Sequence, residues 1–500
     1  MPAISNPPSG CKLHGLSRAF LGLAGLYLLL LIPEAQPPPV KGAGKAPFVW
    51  NRDAYLTELE NRFREARKLN PKERSAQLHE LLAQVHHALD AVALTNLPPT
   101  APVFVELEAR FFELAPIAAA SPEQLSDFMS TAGRMRELVK AQSQHWPRDA
   151  AETRPQIYRL LYAGRAGVEE ALLQAPGATN TLELSSADIP SATPGVAVHG
   201  IGIHSGDILV SRGGAATSAL IARGNDFPGN FSHVALAHVE ETTHAVTLIE
   251  AHIESGVGLT PIEKYLGDTK LRIMVLRLRD DLPQLVADPL LPHRAASMAL
   301  SNALARHIAY DFAIDHRDAS KQFCSEVAAA AYQRFGVTLW MGLSHLSTPG
   351  ITSWLAALGV RQFETQEPSD LEYDPQLRVV AEWRDPATLF QDHADNAVID
   401  VMLEGAERGE KLGHNPWLLP PVRLAKTWSV VLNWLGKVGP VPEGMSATTA
   451  LRVRKLKASH AALKARLLVK AEQFKMEKGY VPPYWEMVRL AREASESQKR

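Results

Sequence analysis

A thiol, an imidazole and a carboxylate stand in this sequence in the pattern a thiol acyl-transfer site requires. Cys324 opens CSEVAAAAYQRFG (324–336), whose alanines, Val327 and Phe335 predict a buried helix closed at Gly336. The free amides and partial positive charge of a helix start favour a thiolate and can hold an oxyanion. His233 and Glu250 fall within FSHVALAHVEETTHAVTLIEAH (231–252), two apolar runs around the polar loop EETT, which is a hairpin pattern. Centring the loop between Glu241 and Thr242 sets His233 directly opposite Glu250, and such cross-strand neighbours share a face about 5 Å apart. A carboxylate there fixes the ring's tautomer and raises its basicity. A one-residue slip would send the two side chains to opposite faces. Nucleophile, base and orienting group are then all present, and Cys324 is expected to be partly thiolate at neutral pH. Singly, each residue has a plainer role, a buried cysteine being most often an inert small hydrophobe. The combination carries the chemical reading.

These residues need a sheet and a helix to hold them. From about residue 184 the chain turns rich in glycine, serine and β-branched residues. GDILVS (206–211) predicts a strand after a tight Gly-Asp turn, and LRIMVLRL (271–278) another. Helical spacing returns in HRAASMALSNALARHIAYDF (293–312). Residues 184–390 therefore read as an α+β domain with an antiparallel sheet. On its N-terminal side, 48–183 reads as a helical domain, with YLTELENRFREARKL (55–69) and RSAQLHELLAQVHHALDAVAL (74–94) at helical spacing. Ser121, Pro122 and Gln124 suggest a capping box. His79 and His86 share a helical face without a carboxylate pair, so packing is their expected role. Residues 391–500 are helical again. VRLAKTWSVVLNWLGK (422–437) gathers Leu424, Trp428, Val431, Leu432 and Leu435 on one face, and 451–478 carries nine Lys and Arg against two Glu. Contact with a membrane or an anionic polymer through these basic helices is an expectation; packing and solvation are the plainer alternatives.

The first 47 residues read as a targeting segment with a Pro/Gly linker. Lys12 and Arg18 precede AFLGLAGLYLLLLIP (19–33), fifteen uncharged residues, where a spanning helix usually wants about 20. The positive flank places the rest of the chain outside the cytoplasm, in the cell envelope, with the segment either cleaved or kept as an anchor. Cys11 precedes the apolar run rather than following it, which speaks against lipidation. QPPPVKGAGKAP (36–47) predicts a flexible linker.

Six stretches resemble the circularly permuted papain-like amidases of the YiiX/YaeF kind, relatives of the NlpC cell-wall peptidases. They are GDILVSRGGAATSALIA (206–222), FSHVAL (231–236), VTLIEAHIESGVGLTPIEKYL (246–266), YDFAID (310–315), FCSEVAAAAY (323–332) and the segment from TPGI to EPSDLEYDPQLRVVAEW (348–383). They come in the family's order over about 200 residues, with the histidine strand ahead of the cysteine as permutation requires. The Ser-His-Val strand followed about ninety residues later by Cys-Ser-Glu is the most specific of these signals. The resemblance implies a permuted papain-like (NlpC-like) α+β core, with Cys324 as nucleophile, His233 as base and Glu250 as orienting residue. It adds Tyr310 and Ser325 as substrate-binding or oxyanion candidates. Relatives often carry a glycine shortly before the Tyr-Asp pair, where this chain has RHIAYDF.

Composition narrows the alternatives. A net charge of −2 argues against a nucleic-acid binder. Two cysteines make neither a disulfide framework nor a thiolate zinc site, and HExxH, G-x-S-x-G, Walker and dinucleotide patterns are absent from the sequence. The expectation is an exported cysteine hydrolase acting on an amide in an envelope peptide or an acylated molecule, with no metal or organic cofactor. The alternative is a catalytically inactive envelope scaffold that binds partners or membrane through its helices.

Overall fold

The computed structural model describes residues 21–32, 34, 42–49, 53–175, 181–184, 189–339 and 344–497. Cys11, Lys12 and Arg18 lie outside them. The centre of the molecule is a seven-stranded sheet. Its chain begins with β1 (Thr181–Leu184), a small hairpin of β2 (Gly195–Val198) and β3 (Ile201–His204), and β4 (Ile208–Gly213). It continues with β5 (His233–Val239), β6 (Val246–His252), β7 (Gly256–Pro261) and β8 (Lys270–Leu278). A two-stranded pair, β9 (Ser344–His345) and β10 (Glu364–Thr365), precedes the last strand, β11 (Leu377–Arg384). The large sheet runs β1-β11-β8-β4-β5-β6-β7 and its pairings are antiparallel. The fold is α+β. The sheet begins three residues ahead of the boundary expected at 184, because Thr181–Leu184 pairs with Arg384–Ala381.

Alternation decides what each face of β5 and β6 carries. Val234, Leu236, Ile249 and Ala251 pack with Val327, Ala328, Ala331 and Tyr332 of the Cys324–Gln333 helix. Ala235, Ala237, Val246 and Leu248 face the other way, against Ile262 and Tyr265. The helix is thus seated by alanines small enough to lie close to the strands. The Gly-Asp turn before β4 needs its glycine. Gly206 has φ +96°, and a Cβ there would meet the Cβ of Pro292 at 2.3 Å. Asp207 is buried and accepts from Arg277 Nε at 2.8 Å, tying β4 to β8.

Helices from both ends of the chain build one core. Those at Pro71–Ala93, Pro102–Ala119, Leu125–Ser143 and Thr153–Gln174 contribute Leu89, Phe111, Phe128 and Leu172. The same cluster takes in Val398, Leu467 and Leu490 from the helices Pro386–Glu407, Ala447–Lys478 and Tyr484–Glu496. His86 bonds Thr131 at 2.9 Å and His79 the Ser75 carbonyl at 2.8 Å, both packing roles. Ser121 sits before a short 3-10 turn without the expected side-chain cap.

The linker differs from expectation where it is described. Ala43 donates to the Leu346 carbonyl, Lys45 N to Ser347 Oγ, and Phe48 N to the Asp226 carbonyl. Phe48 also meets Tyr158 edge-on at 4.9 Å. Glycine permits this approach, since a Cβ on Gly42 would lie 2.9 Å from the Leu346 carbonyl oxygen. Of the apolar run, residues 21–29 are helical, with Leu21, Leu28 and Leu29 exposed. No described helix is long and apolar enough to cross a membrane.

Candidate active site

His233 is the first residue of β5 and pairs with Ser211 on β4. Ser369 clamps the approach to it. Its hydroxyl accepts from Phe231 N and donates to the Phe231 carbonyl, each at 2.9 Å. Glu250, on β6, is opposite Ala235 rather than His233, so the hairpin register is displaced by two residues from the symmetric count. The Glu240 carboxylate is the reason. It accepts from Thr242 N at 3.0 Å and Thr243 N at 2.6 Å, which centres the loop further along. A displacement of two preserves the face. His233 Nε2 therefore still meets Glu250 Oε2, diagonally, at 2.7 Å.

A second histidine, His252, shares that carboxylate. Its Nε2 lies 3.1 Å from Glu250 Oε1, and its ring stacks on His233 with centroids 5.6 Å apart. Burial alone would raise the Glu250 carboxyl, but the two histidine bonds hold it well below the usual carboxylate range. The rings respond oppositely. Burial lowers His233 in spite of Glu250, so this ring is neutral at neutral pH. His252, which is more exposed, is raised by its bond to Glu250.

Cys324 is the first residue of its helix and is 5% exposed. Its sulfur contacts the backbone on both sides of His233, lying 4.0 Å from the Ser232 carbonyl oxygen and near the Val234 amide. The body of the helix covers the Val234 face of β5, while His233 and Glu250 lie on the Ala235 face. The thiol stands at the backbone of the first residues of the strand. His233 bonds Glu250, and no hydrogen bond joins its ring to the Cys324 sulfur among the described residues. Burial pushes the thiol up to about 12, and Glu367 adds to the shift. The Val234 amide and the Ser325 hydroxyl and amide pull against it. The expected resting thiolate is therefore overturned, because desolvation outweighs the helix start and the neighbouring ring is uncharged.

Glu326 fixes the helix start by accepting from Phe323 N at 2.9 Å, and burial pushes its carboxyl up to about 8. Ser325 is fully buried beside the sulfur. Tyr310 bridges to Gln322 just ahead of the helix and stacks edge-on against Phe312 at 5.1 Å. Its hydroxyl is raised well above the usual range by burial, then by Cys324 and Glu367. Both candidates thus border the thiol.

Sequence reasoning missed His252, Tyr265 and Glu367 as site residues. Tyr265 is buried, feels the charges of Glu250 and Cys324, and carries Lys270 Nζ 4.5 Å from its ring centroid. Glu367 is buried near Cys324 and pushed up to about 8, first by desolvation and then by Asp370. His252 stands two residues beyond Glu250, the spacing of one strand face, and that signal was available. An apolar cavity of about 310 Å³ lies elsewhere, between the terminal helices, where Phe63, Phe112, Tyr158 and Trp485 line it.

No curated protein and no solved structure matches the chain. Residues 202–381 match the family model described as permuted papain-like amidase enzyme, YaeF/YiiX, C92 family. That interval runs from β3 into β11 and contains His233, Glu250 and Cys324 in the order found here. Over residues 202–381 the chain is thus similar to the permuted papain-like amidases of the YaeF/YiiX family.

Proposed function

We propose that this chain is an exported cysteine amidase in which Cys324 attacks, His233 moves the proton and Glu250 orients the ring. The observation that carries the reading is the 2.7 Å His233–Glu250 bond on the strand whose first residues flank the Cys324 sulfur. With Nε2–H given to Glu250, Nδ1 keeps its lone pair as the base. Cys324 Sγ forms a bond to the substrate carbonyl carbon while its proton passes to His233. The carbonyl electron pair moves onto oxygen, where the helix-start amides and Ser325 stabilise it. Collapse breaks the C–N bond and the amine departs with the proton from His233. Water then enters, His233 takes its proton, and the thioester is hydrolysed to acid and free thiol. The raised thiol favours general-base removal of the proton during attack over a preformed ion pair.

The substrate we propose is an amide of an envelope peptide or an acylated molecule, outside the cytoplasm. The exposed Leu424, Trp428, Trp434 and Leu435 of the 419–438 segment support a membrane-facing position. The apolar N-terminal helix is tied to the same place, with Tyr27 donating to the Trp417 carbonyl and Arg423 to the Leu30 carbonyl, each at 2.7 Å. A panel of peptidoglycan fragments and acyl amides, assayed with wild type and Cys324→Ser, tests the activity. Release of amine and acid by wild type alone is expected, and release that survives Cys324→Ser refutes the mechanism. The 5% exposure of Cys324 and its raised thiol favour a second reading, a catalytically inactive scaffold. A thiol that no alkylating agent reaches in the folded chain would select it.

A further inference from the structure

The bond pattern around Glu250 has a use beyond orienting one ring. Two imidazole nitrogens, His233 Nε2 and His252 Nε2, converge on the two oxygens of one carboxylate, at 2.7 and 3.1 Å. Ligand atoms of the three residues all lie within 4.8 Å of one another. Tetrahedral zinc with N and O ligands at about 2.0–2.2 Å holds its ligand atoms about 3.3–3.5 Å apart. Small side-chain rotations would therefore open these hydrogen bonds far enough to seat an ion. Two imidazoles, each offering a nitrogen lone pair once the metal displaces its proton, and a carboxylate are an N/O donor set that suits zinc and leaves one position open. Glu250 is buried, whereas the His252 side chain is 40% exposed, which gives an ion a route in from solvent.

We propose that His233, Glu250 and His252 form a regulatory site for a divalent transition-metal ion such as zinc, whose binding switches the thiol chemistry off. The inhibitory part rests on the amidase reading; the binding part does not. The reason for inhibition is the tautomer. In the metal-free ring, Nε2 carries the hydrogen given to Glu250 and Nδ1 keeps the lone pair that receives the thiol proton. A metal on Nε2 binds through the Nε2 lone pair, so the neutral ring gives up its Nε2 hydrogen and must carry its one hydrogen on Nδ1. The ring can then no longer accept a proton from Cys324. Glu250, turned towards the metal, ceases to accept from the ring at the same time. His252 is the residue that distinguishes this arrangement from a plain catalytic pair.

Equilibrium dialysis of the full chain against zinc chloride, with the bound metal counted, tests the site without any turnover. Wild type and Cys324→Ser are expected to take up the same zinc. His252→Ala and Glu250→Gln should each bind at least about tenfold more weakly at this site. His252→Gln serves as a second variant, since it keeps a hydrogen-bond donor for Glu250 without an imidazole ligand, and a thermal melt shows that each variant is folded. Undiminished zinc in folded His252→Gln overturns the proposal, as does loss of zinc in Cys324→Ser, which would place the metal on the thiol. Zinc should slow amide turnover by wild type, and turnover unaffected by saturating zinc overturns the switch. A chain with no amide turnover that still takes up zinc through His252 would refute the amidase reading while upholding the metal site.

Discussion

Cys324 has the Ser325 amide and hydroxyl beside its sulfur, yet burial and Glu367 push its thiol up to about 12. The physical competition is between desolvation of an anion and a few short dipoles, and here desolvation is larger. Iodoacetamide alkylation of the native chain should accordingly climb with pH well past the roughly 8.5 of a free cysteine, with no plateau near neutrality. Glu367→Gln removes a nearby negative charge, so its alkylation inflection should move to lower pH. An inflection near 7 in the native protein would refute both expectations. His233 supplies the second test at this scale. It must be neutral to accept a proton, and burial lowers its pKa below the ordinary 6.5. The acid limb of kcat/KM is therefore expected below pH 6.5. Glu250 works to raise His233, so Glu250→Gln should shift that limb to still lower pH and cut turnover by about tenfold or more.

Between elements, buried ion pairs fasten the sheet to the terminal helices. Arg272 on β8 bonds Glu169 of the Thr153–Gln174 helix at 2.8 Å and reaches Asp392 of the Pro386–Glu407 helix. Arg165 bonds Glu372 at 2.8 Å and reaches Glu382 on β11, while Arg212 on β4 lies 3.1 Å from Asp392. Removing one member leaves a charge buried without its partner, which typically costs about 3–5 kcal/mol. Arg272→Met should lower the unfolding free energy by about that much, whereas removing Lys68 from its exposed pair with Glu65 should cost about 0–1 kcal/mol. Urea unfolding measures both. The pH dependence has a definite sign. Burial works to raise Glu169, but Arg272, His393 and Arg165 hold it well below its ordinary 4.5. Its contribution to stability is thus complete above about pH 4.5 and is lost as pH falls through the folded value. Wild type should lose stability on acidification below pH 4.5 more steeply than Arg272→Met.

At the scale of the whole molecule, the helical segments on either side of the family core share apolar side chains with each other and ion pairs with the sheet. A fragment restricted to 184–390 would lack most of β1, Glu169 and Asp392, leaving Arg272 and Arg212 without these partners. Such a fragment is expected to be insoluble or to lack a cooperative thermal transition; a sharp transition near that of the full chain would show an independent domain. The outer face of the Leu419–Trp434 helix makes a second prediction. Trp434 is 89% exposed and Trp428 57%, an arrangement suited to a lipid interface. Wild type should sediment with vesicles of phosphatidylethanolamine and phosphatidylglycerol. The Trp428→Ser, Trp434→Ser double variant should remain largely in the supernatant, and equal sedimentation of the two would remove this face from the membrane.

Local patterns in the sequence determined the element types and the chemistry they carry. Two apolar runs around a polar loop over 231–252 made a hairpin, alanines after Cys324 made a close-packing helix, and Gly206 marked the turn that opens β4. Parity was enough to place His233 and Glu250 on one face, since a strand's side chains repeat every two residues and the true register differs from the symmetric one by two. Register itself was not legible, because it depends on the Glu240 carboxylate folding back onto the amides of its own loop. Only the tertiary structure gave His252 a share of the Glu250 carboxylate and brought Glu367 to within electrostatic reach of a thiol 43 residues away in the chain. It also decided the protonation state of that thiol. Residue types state which groups can ionise, but the desolvation that sets their pKa is a sum over neighbours from distant parts of the chain, and no local pattern contains that sum.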